Sequence, residues 1–403
     1  GNSGVFNESG GYTLTAGKEY VFSADHGSGS SSTTGTGFFG AHQGGFNYTP
    51  PSGFVAANAS NLPNPTIKDG KKHFHTLFYS GTGGTHNVTG LDFDPDWVWG
   101  KNRDQTGYHH DLYDTVRGNN LRIFSSQTNA EQTGFLQFGV TGGFTLTAGG
   151  GININGNNHV AWCWNGGTST VTNTDGNISS QVRANTTAGF SIVGYSGNGS
   201  NGQTVGHGLG VAPDTIFLKS RTAGSNWRVW HHKLAADGSK RLLLDATNAS
   251  EDAGFLNDTA PSSTVFTLGN SDNAWNESGG TYIAYVFSEV EGYSKFGKYV
   301  GNGNSNGTYV ITGFRPAWVL VKSFNGATEH WNIPVDVDLN NGITKTLSPN
   351  LTNAERDMSG GDAMDFYSNG FKIRNSDNNY SNNGAGFVYW AFAKNPFKHS
   401  NAR

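Results

Sequence analysis

The sequence predicts an all-β chain built from tandem antiparallel β-sandwich modules. Three observations carry that expectation. Helical periodicity is almost absent. Short aromatic or β-branched runs recur instead, such as Thr215-Ile216-Phe217-Leu218, Tyr309-Val310-Ile311 and Phe387-Val388-Tyr389-Trp390, separated by clusters of Gly, Asn, Ser and Asp. Runs of four to six between dense turn signals are the signature of β-sandwiches. The third observation is an internal repeat.

The repeat is anchored on three blocks. They are Pro95-Asp96-Trp97-Val98-Trp99-Gly100-Lys101, Pro213-Asp214-Thr215-Ile216-Phe217-Leu218-Lys219 and Pro316-Ala317-Trp318-Val319-Leu320-Val321-Lys322, with prolines offset by 118 and 103 residues. Each follows a tyrosine and glycine turn: Tyr79-Ser80-Gly81, Tyr195-Ser196-Gly197 and Tyr299-Val300-Gly301. Three later markers keep the frame. Thr128-Asn129-Ala130 matches Thr247-Asn248-Ala249 and Thr352-Asn353-Ala354. Phe144-Thr145-Leu146 matches Phe266-Thr267-Leu268 and Phe371-Lys372-Ile373. Trp162-Cys163-Trp164 matches Tyr285-Val286-Phe287 and Trp390-Ala391-Phe392. The expected organisation is therefore a short β-rich unit and connector over 1–70, repeat 1 over 71–167, a Ser/Thr/Asn/Gly-rich linker over 168–188, repeat 2 over 189–292, and repeat 3 with a C-terminal tail over 293–403.

Within each repeat the last strand places aromatics two apart, so both point to one face of a sheet. Repeated so regularly, they read as core rather than as a sugar platform. Composition agrees. Hydrophobic residues are 34% and charged residues 14%, yet aromatics reach 13%, so the interior is built from rings more than from Leu or Met. A net charge of −4 supplies no basic field for nucleic acid. No apolar run approaches the roughly 18 residues of a membrane helix, and membrane insertion is not expected. The single cysteine, Cys163, excludes an intramolecular disulfide framework.

Longer stretches then become specific. Phe190-Ser191-Ile192-Val193-Gly194-Tyr195-Ser196-Gly197 leads into His207-Gly208-Leu209-Gly210-Val211-Ala212-Pro213. Further on stand Glu289-Val290-Glu291-Gly292-Tyr293-Ser294-Lys295-Phe296-Gly297, Gly313-Phe314-Arg315-Pro316-Ala317-Trp318-Val319 and the closing Asn395-Pro396-Phe397-Lys398. These resemble an uncharacterised repeat-domain family of virion and tail-fibre proteins of tailed, especially marine, phages. There the modules often follow a SPRY (concanavalin-like) domain, which Phe46 to Phe54 and Ala56 to Asp69 resemble at its tail and connector. The residues before Phe38 are too few for a complete SPRY domain, so that unit is truncated or reduced. The resemblance implies concanavalin or jelly-roll-like sandwiches on a virus particle, a homo-oligomer contacting other virion proteins, and attachment to a host-surface glycan or receptor. It supplies no catalytic residue.

Candidate chemistry in the sequence is sparse. Gly197-Asn198-Gly199-Ser200-Asn201-Gly202 matches a dinucleotide fingerprint, but the helix that must follow is missing, so a hairpin turn is favoured. Asp92, Asp94 and Asp96 form an acidic knot of the kind Ca²⁺ favours, without EF-hand spacing. They are weak metal candidates against a solvated turn. His109-His110 and His231-His232 are neighbours on strands, which face opposite sides and rarely serve one ion. Glu131, Glu251 and Glu355 lie near one repeat marker and are the only hint of the paired carboxylates that glycoside cleavage needs. Cys163, between two core-like tryptophans, reads as a structural thiol. The sequons at Asn177, Asn198 and Asn306 are what this composition generates by chance. The expectation is a protein that is not an enzyme, with no cofactor. Its expected role is tail fibre, spike or capsid decoration; the alternatives are a secreted carbohydrate-binding adhesin and a capsule depolymerase.

Overall fold

The computed structural model describes residues 64–335, 342–358 and 363–396. The N-terminal unit expected over 1–70, apart from residues 64–70, lies outside the described residues, as does the C-terminal tail beyond 396. Every ladder in the rest is antiparallel, and the helical content is a 3₁₀ turn and the single-turn helix Asn378–Ser381.

Repeat 1 holds β1 (Phe74–Ser80), β2 (His86–Thr89), β3 (Trp97–Asn102), β4 (Asp111–Asp114), β5 (Leu121–Phe124), β6 (Gln132–Thr133), β7 (Leu136–Val140), β8 (Gly143–Leu146) and β9 (Asn158–Trp164). Repeat 2 holds β10 (Thr170–Asn173), β11 (Ser180–Asn185), β12 (Phe190–Ser196), β13 (Gln203–Gly206), β14 (Thr215–Ser220), β15 (Arg228–His231), β16 (Lys240–Arg241), β17 (Glu251–Asp252), β18 (Val265–Leu268) and β19 (Thr281–Phe287). Repeat 3 holds β20 (Ser294–Val300), β21 (Tyr309–Ile311), β22 (Phe314–Ser323), β23 (Ile333–Pro334), β24 (Lys345–Leu347), β25 (Arg356–Asp357), β26 (Met364–Tyr367), β27 (Gly370–Ile373) and β28 (Gly386–Pro396).

The three repeats share one plan. The last strand is central to a large sheet, between the first strand and the strand of the Pro-block: β1-β9-β3, β12-β19-β14 and β20-β28-β22. A small sheet covers one face: β2-β8-β7, β13-β18 and β21-β27-β26. Pro95 and Pro213 stand just before their strands, while Pro316 lies inside β22 where the register shifts. A bulge tolerates the missing N–H there. The stretch 168–188 is not a linker. β10 and β11 form a hairpin that pairs with β12 and extends the large sheet of repeat 2. Its polar composition fits a half-solvated edge, which is why it reads as a connector.

The alternation along each last strand divides the residues between two cores. Ala161 and Cys163 face the sandwich interior of repeat 1 with Phe144, Leu146 and Leu136. Ala284 and Val286 do the same in repeat 2. The aromatics on the other face, Trp162 and Trp164, Tyr285 and Phe287, Trp390 and Phe392, all enter one shared core between the repeats. Trp97 of repeat 1 stacks on Tyr285 of repeat 2 at 4.2 Å, and Trp390 of repeat 3 lies 5.4 Å from Phe217 of repeat 2. Each ring buried contributes roughly 1.5–3 kcal/mol. A large share of that gain lies between repeats, so they form one unit and not a string of independent beads.

Polar contacts between repeats run in a closed cycle. Lys101 of repeat 1 reaches Thr352 O of repeat 3 (3.5 Å), Lys219 of repeat 2 reaches Thr128 O of repeat 1 (2.9 Å), and Lys322 of repeat 3 reaches Thr247 O of repeat 2 (3.0 Å). The acceptors are the Thr residues of the repeated Thr-Asn-Ala marker. Three equivalent donors and three equivalent acceptors, each one repeat apart, are what a threefold pseudo-axis generates.

Candidate functional site

The residues singled out in the sequence are used mostly to join repeats. The three lysines that end the Pro-blocks are fully buried. Each also donates to the carbonyl of the next residue: Asn102 (2.9 Å), Ser220 (3.3 Å) and Ser323 (2.8 Å). Burial lowers the pKa of each to about 8. The sequence shows their recurrence but not their role. A lysine at the end of a strand ordinarily reaches solvent.

Glu131 and Glu355 do not face each other across a groove. Glu131 of repeat 1 takes both ends of Arg221 of repeat 2 (2.9 and 3.0 Å), and Glu355 of repeat 3 takes both ends of Arg103 of repeat 1 (2.6 and 3.0 Å). The matching backbone bonds are Glu131 N to Arg221 O, Glu355 N to Arg103 O and Ser250 N to Phe324 O. Ser250 is therefore the third equivalent, and Glu251 pairs within repeat 2 with Arg241 (3.2 Å).

The acidic knot also separates. Asp92 and Asp94 are exposed, and Asp94 accepts the Gly142 amide at 2.8 Å. Asp96 is buried and pairs with Arg183 of the repeat 2 hairpin at 2.6 Å, with the Gly166 amide and Thr115 hydroxyl as further donors. Burial raises its pKa to about 6, against the opposing charge of Arg183. Among the described residues no three His, Cys, Asp or Glu side chains come together as a metal-ligand set.

The histidine pairs lie at different places, as their repeat positions require. His109 contacts Ser126 (2.8 Å) and Gln127 (2.7 Å), and His110 is buried and accepts the Trp99 indole N–H at 3.0 Å. His231 accepts the Lys233 amide at Nδ1 (3.1 Å) and faces Tyr389 O of repeat 3 with Nε2 (3.3 Å). One accepting and one donating nitrogen make it a neutral imidazole, and burial lowers its pKa to about 3. His232 spans Asp214 (2.8 Å) and Phe296 O of repeat 3 (2.8 Å). Cys163 is buried, and burial pushes its thiol far above the usual range.

The glycine fingerprint is a turn between β12 and β13, with a strand where a nucleotide site needs a helix. Gly197 is required by close approach: a Cβ there would lie 2.5 Å from Glu277 O. Gly199 takes φ +75°, the left-handed region.

One cavity stands apart, at the join where repeat 3 meets repeat 1. Its volume is about 180 Å³. Phe74, Trp162 and Trp318 line it with Pro334 and Val335, and Lys71, His75, Phe78 and Lys394 also border it. Burial lowers the His75 pKa, with Lys71 adding to the effect. Of the lining residues, Trp318 and Thr76 have polar atoms, Nε1 and Oγ1, that are buried without a hydrogen-bond partner, as are Trp97 Nε1 and Trp164 Nε1 elsewhere in the shared core.

At the other two joins the equivalent turn carries polar side chains across. Thr115 N to Asp96 O and His232 N to Asp214 O, both 2.9 Å, make Asp114 equivalent to His231. Asp114 accepts the Tyr285 hydroxyl of repeat 2 at 2.8 Å, and His231 meets the Trp390 ring of repeat 3 edge-on at 4.8 Å. The repeat offset places the apolar Val335 at this position in repeat 3. Sequence reasoning missed this cavity because its walls come from five separate segments and no local motif marks it.

Comparison with family models matches residues 69–396 to DUF7483, a domain of unknown function, and the chain belongs to that family. The match spans all three repeats, in keeping with their shared core. Comparisons with curated proteins and with solved structures gave no match.

Proposed function

We propose that this DUF7483 chain is a non-enzymatic display component of a virus particle, a tail fibre, spike or capsid decoration. In this role it holds the outer loops of its three sandwiches toward a host surface. The observation that carries the reading is the use of the buried and half-buried charges. Lys101, Lys219, Lys322, Arg103, Arg221, Glu131 and Glu355 are engaged in joining repeats. Such joints fix loop orientation without reorganising a cleft for catalysis. The resemblance of the long motifs to phage virion modules supports the same role.

Sites on such loops gain strength through multivalency, because linked copies raise the effective concentration. A particle supplies copies by symmetry, so each chain needs only modest affinity. The test is to compare monomeric chain with chain multimerised on a scaffold, on host cells or extracted surface polysaccharide. The expected outcome is retention by the multimer alone, with no sugar released, and the chain found in symmetry-averaged density of purified virions. Steady release of oligosaccharide would refute the reading and favour a depolymerase. A secreted adhesin remains the second reading, favoured by the ring-lined cavity; absence of the chain from purified virions would select it.

A further inference from the structure

The small sheets of the three repeats each carry an equivalent edge strand, β2, β13 and β21, and these edges are finished differently. Val88, Val205 and Val310 are buried and pair with the repeated Phe144, Phe266 and Phe371. Asn87, Thr204 and Tyr309 are therefore equivalent, as are Thr89, Gly206 and Ile311. In repeat 3 the bonds from Ile373 N to Thr308 O (3.0 Å) and from Thr312 N to Asn369 O (2.9 Å) turn the even-numbered residues toward β27. The backbone groups of Tyr309 and Ile311 then point the other way, along the outer edge. In repeat 2 that edge is covered by its own chain: Ile178 N donates to Thr204 O at 2.9 Å and Ser180 Oγ to Gly206 O at 2.8 Å. The covering segment belongs to the hairpin insert before β12, and no such insert stands before β20. Among the described residues no strand or bridge pairs with β21 on that side. The opposite edge of the same sheet is bridged, Met364 of β26 to Ile343.

The side chains at this edge also differ from their siblings. Repeat 1 carries Asn87 and Thr89 there, and repeat 2 Thr204 and Gly206. Repeat 3 presents Tyr309, 41% exposed, and Ile311, 68% exposed, with the Tyr367 ring 5.5 Å from that of Tyr309. Thr308-Tyr309-Val310-Ile311-Thr312 contains no charge and no proline, the devices by which edge strands ordinarily refuse a partner. We propose that β21 pairs antiparallel with β21 of a second copy of this chain, about a twofold axis through Val310. In that register Tyr309 lies opposite the partner's Ile311, and Ile311 opposite the partner's Tyr309. Each couple exchanges two backbone hydrogen bonds and joins an aromatic to a β-branched side chain, a favourable cross-strand pair. The seam itself carries no charge. The nearest charged position on that face is Lys372, paired with Tyr309. At ordinary strand spacings it lies about 16 Å from its twofold mate, beyond the screening length of roughly 8 Å. A self-complementary patch closes as a dimer. The segment that covers the repeat 2 edge is already used there and is not free to serve another copy. Contact through one short strand falls below the roughly 1,200 Å² of a standard interface, so the dimer is weak in solution. It strengthens wherever a scaffold holds copies side by side. The proposal does not depend on what the chain attaches to.

The test is sedimentation velocity on the whole chain across roughly 1–300 µM, where a monomer–dimer equilibrium with a Kd of about 10–100 µM is expected. Ile311→Lys places a charge at the seam on a largely exposed side chain. It should weaken the dimer by at least about tenfold and leave the melting temperature of dilute chain unchanged. Tyr309→Asn with Ile311→Thr restores the repeat 1 pair and should weaken the dimer as much without adding charge. If Ile311→Lys lowers the melting temperature, this second variant decides. Val310→Cys tests the register. Residues facing across a non-hydrogen-bonded pair have Cα atoms about 4.5 Å apart, within disulfide range, so mild oxidation should cross-link the variant. Wild type, whose one thiol, Cys163, is buried, should stay uncross-linked. A wild-type chain that is monomeric throughout overturns the proposal and leaves the edge to a different protein's strand. A dimer that both seam variants leave intact overturns it as well. So does open-ended growth with concentration, which marks head-to-tail pairing, or a Val310→Cys dimer that forms without cross-linking.

Discussion

Trp390→Ala tests whether the repeats are beads or one body. Trp390 is 1% exposed and sits between repeats: Phe217 lies 5.4 Å away, His231 4.8 Å and Trp331 5.4 Å, and its indole donates to Thr215 Oγ1 at 3.0 Å. From the sequence this change is expected to open a cavity inside repeat 3. The structure moves that cavity to the join with repeat 2. Truncating a buried Trp costs roughly 3–5 kcal/mol. The lost hydrogen bond adds about 1 kcal/mol. Unfolding entropy near 2.1 cal/mol/K per residue, over roughly 330 residues, gives a fall in Tm of about 6–9 °C. Scanning calorimetry with parallel near-ultraviolet dichroism is the assay. The expected trace is one transition in wild type and one, lower, in the variant. Two transitions, with one shifted and the other fixed, would refute the shared-core argument, because autonomous repeats melt separately.

Other outcomes follow from the same geometry. The neutral His231 has a pKa near 3 against 6.5 unfolded, so the unfolded chain binds more protons below pH 6.5 and stability falls as pH drops toward 3. Between pH 7 and 5 that is about 2 kcal/mol, and His231→Gln should flatten the denaturation profile by that amount. The lysines act at the other end. Lys322 titrates near 8 folded and 10.5 unfolded, so stability rises with pH through that window. From pH 8 to 9.5 the gain is about 1.5 kcal/mol per lysine, and Lys322→Met should remove one share of it in urea titrations. Asp114→Ala leaves the fully buried Arg117 without its nearest partner and should cost about 3–5 kcal/mol by denaturant midpoint.

The sequence made the fold class and the repeat legible because both are periodic. Pro-blocks, glycine turns and paired aromatics recur at nearly constant offsets, and alternation shows that Trp162 and Trp164 share a face. It does not show what covers that face. Cys163 and Trp162 are both buried residues of one strand, yet one packs inside its sandwich and the other against a neighbouring repeat. Partner choice depends on segments more than a hundred residues apart, and local pattern contains no such information. The hairpin over 170–185 was missed for a related reason. Apart from the exposed Val171 its outward residues are polar, and its inward ones are few, so composition alone resembles a connector.

Divergence at the joins explains why function was the hardest part to read. Apolar positions in the shared core tolerate exchange: Trp97, Thr215 and Trp318 occupy one repeat position, as do Trp164, Phe287 and Phe392. The exchange has chemical consequences only where two differences meet. Thr215 accepts the Trp390 indole at 3.0 Å and closes the join between repeats 2 and 3. Trp318 occupies the same place between repeats 3 and 1, and its own N–H is left without an acceptor beside a cavity. Val335 stands where His231 and Asp114 cross the other joins, so at that one position the join of repeats 3 and 1 carries an apolar side chain, while Arg103 and Glu355 bridge it elsewhere. The unbonded indole is not peculiar to that join, since Trp97 Nε1 and Trp164 Nε1 are also buried without an acceptor. What distinguishes the join is the apolar Val335 beside a ring-lined cavity, a difference that arises only when distant segments pack together.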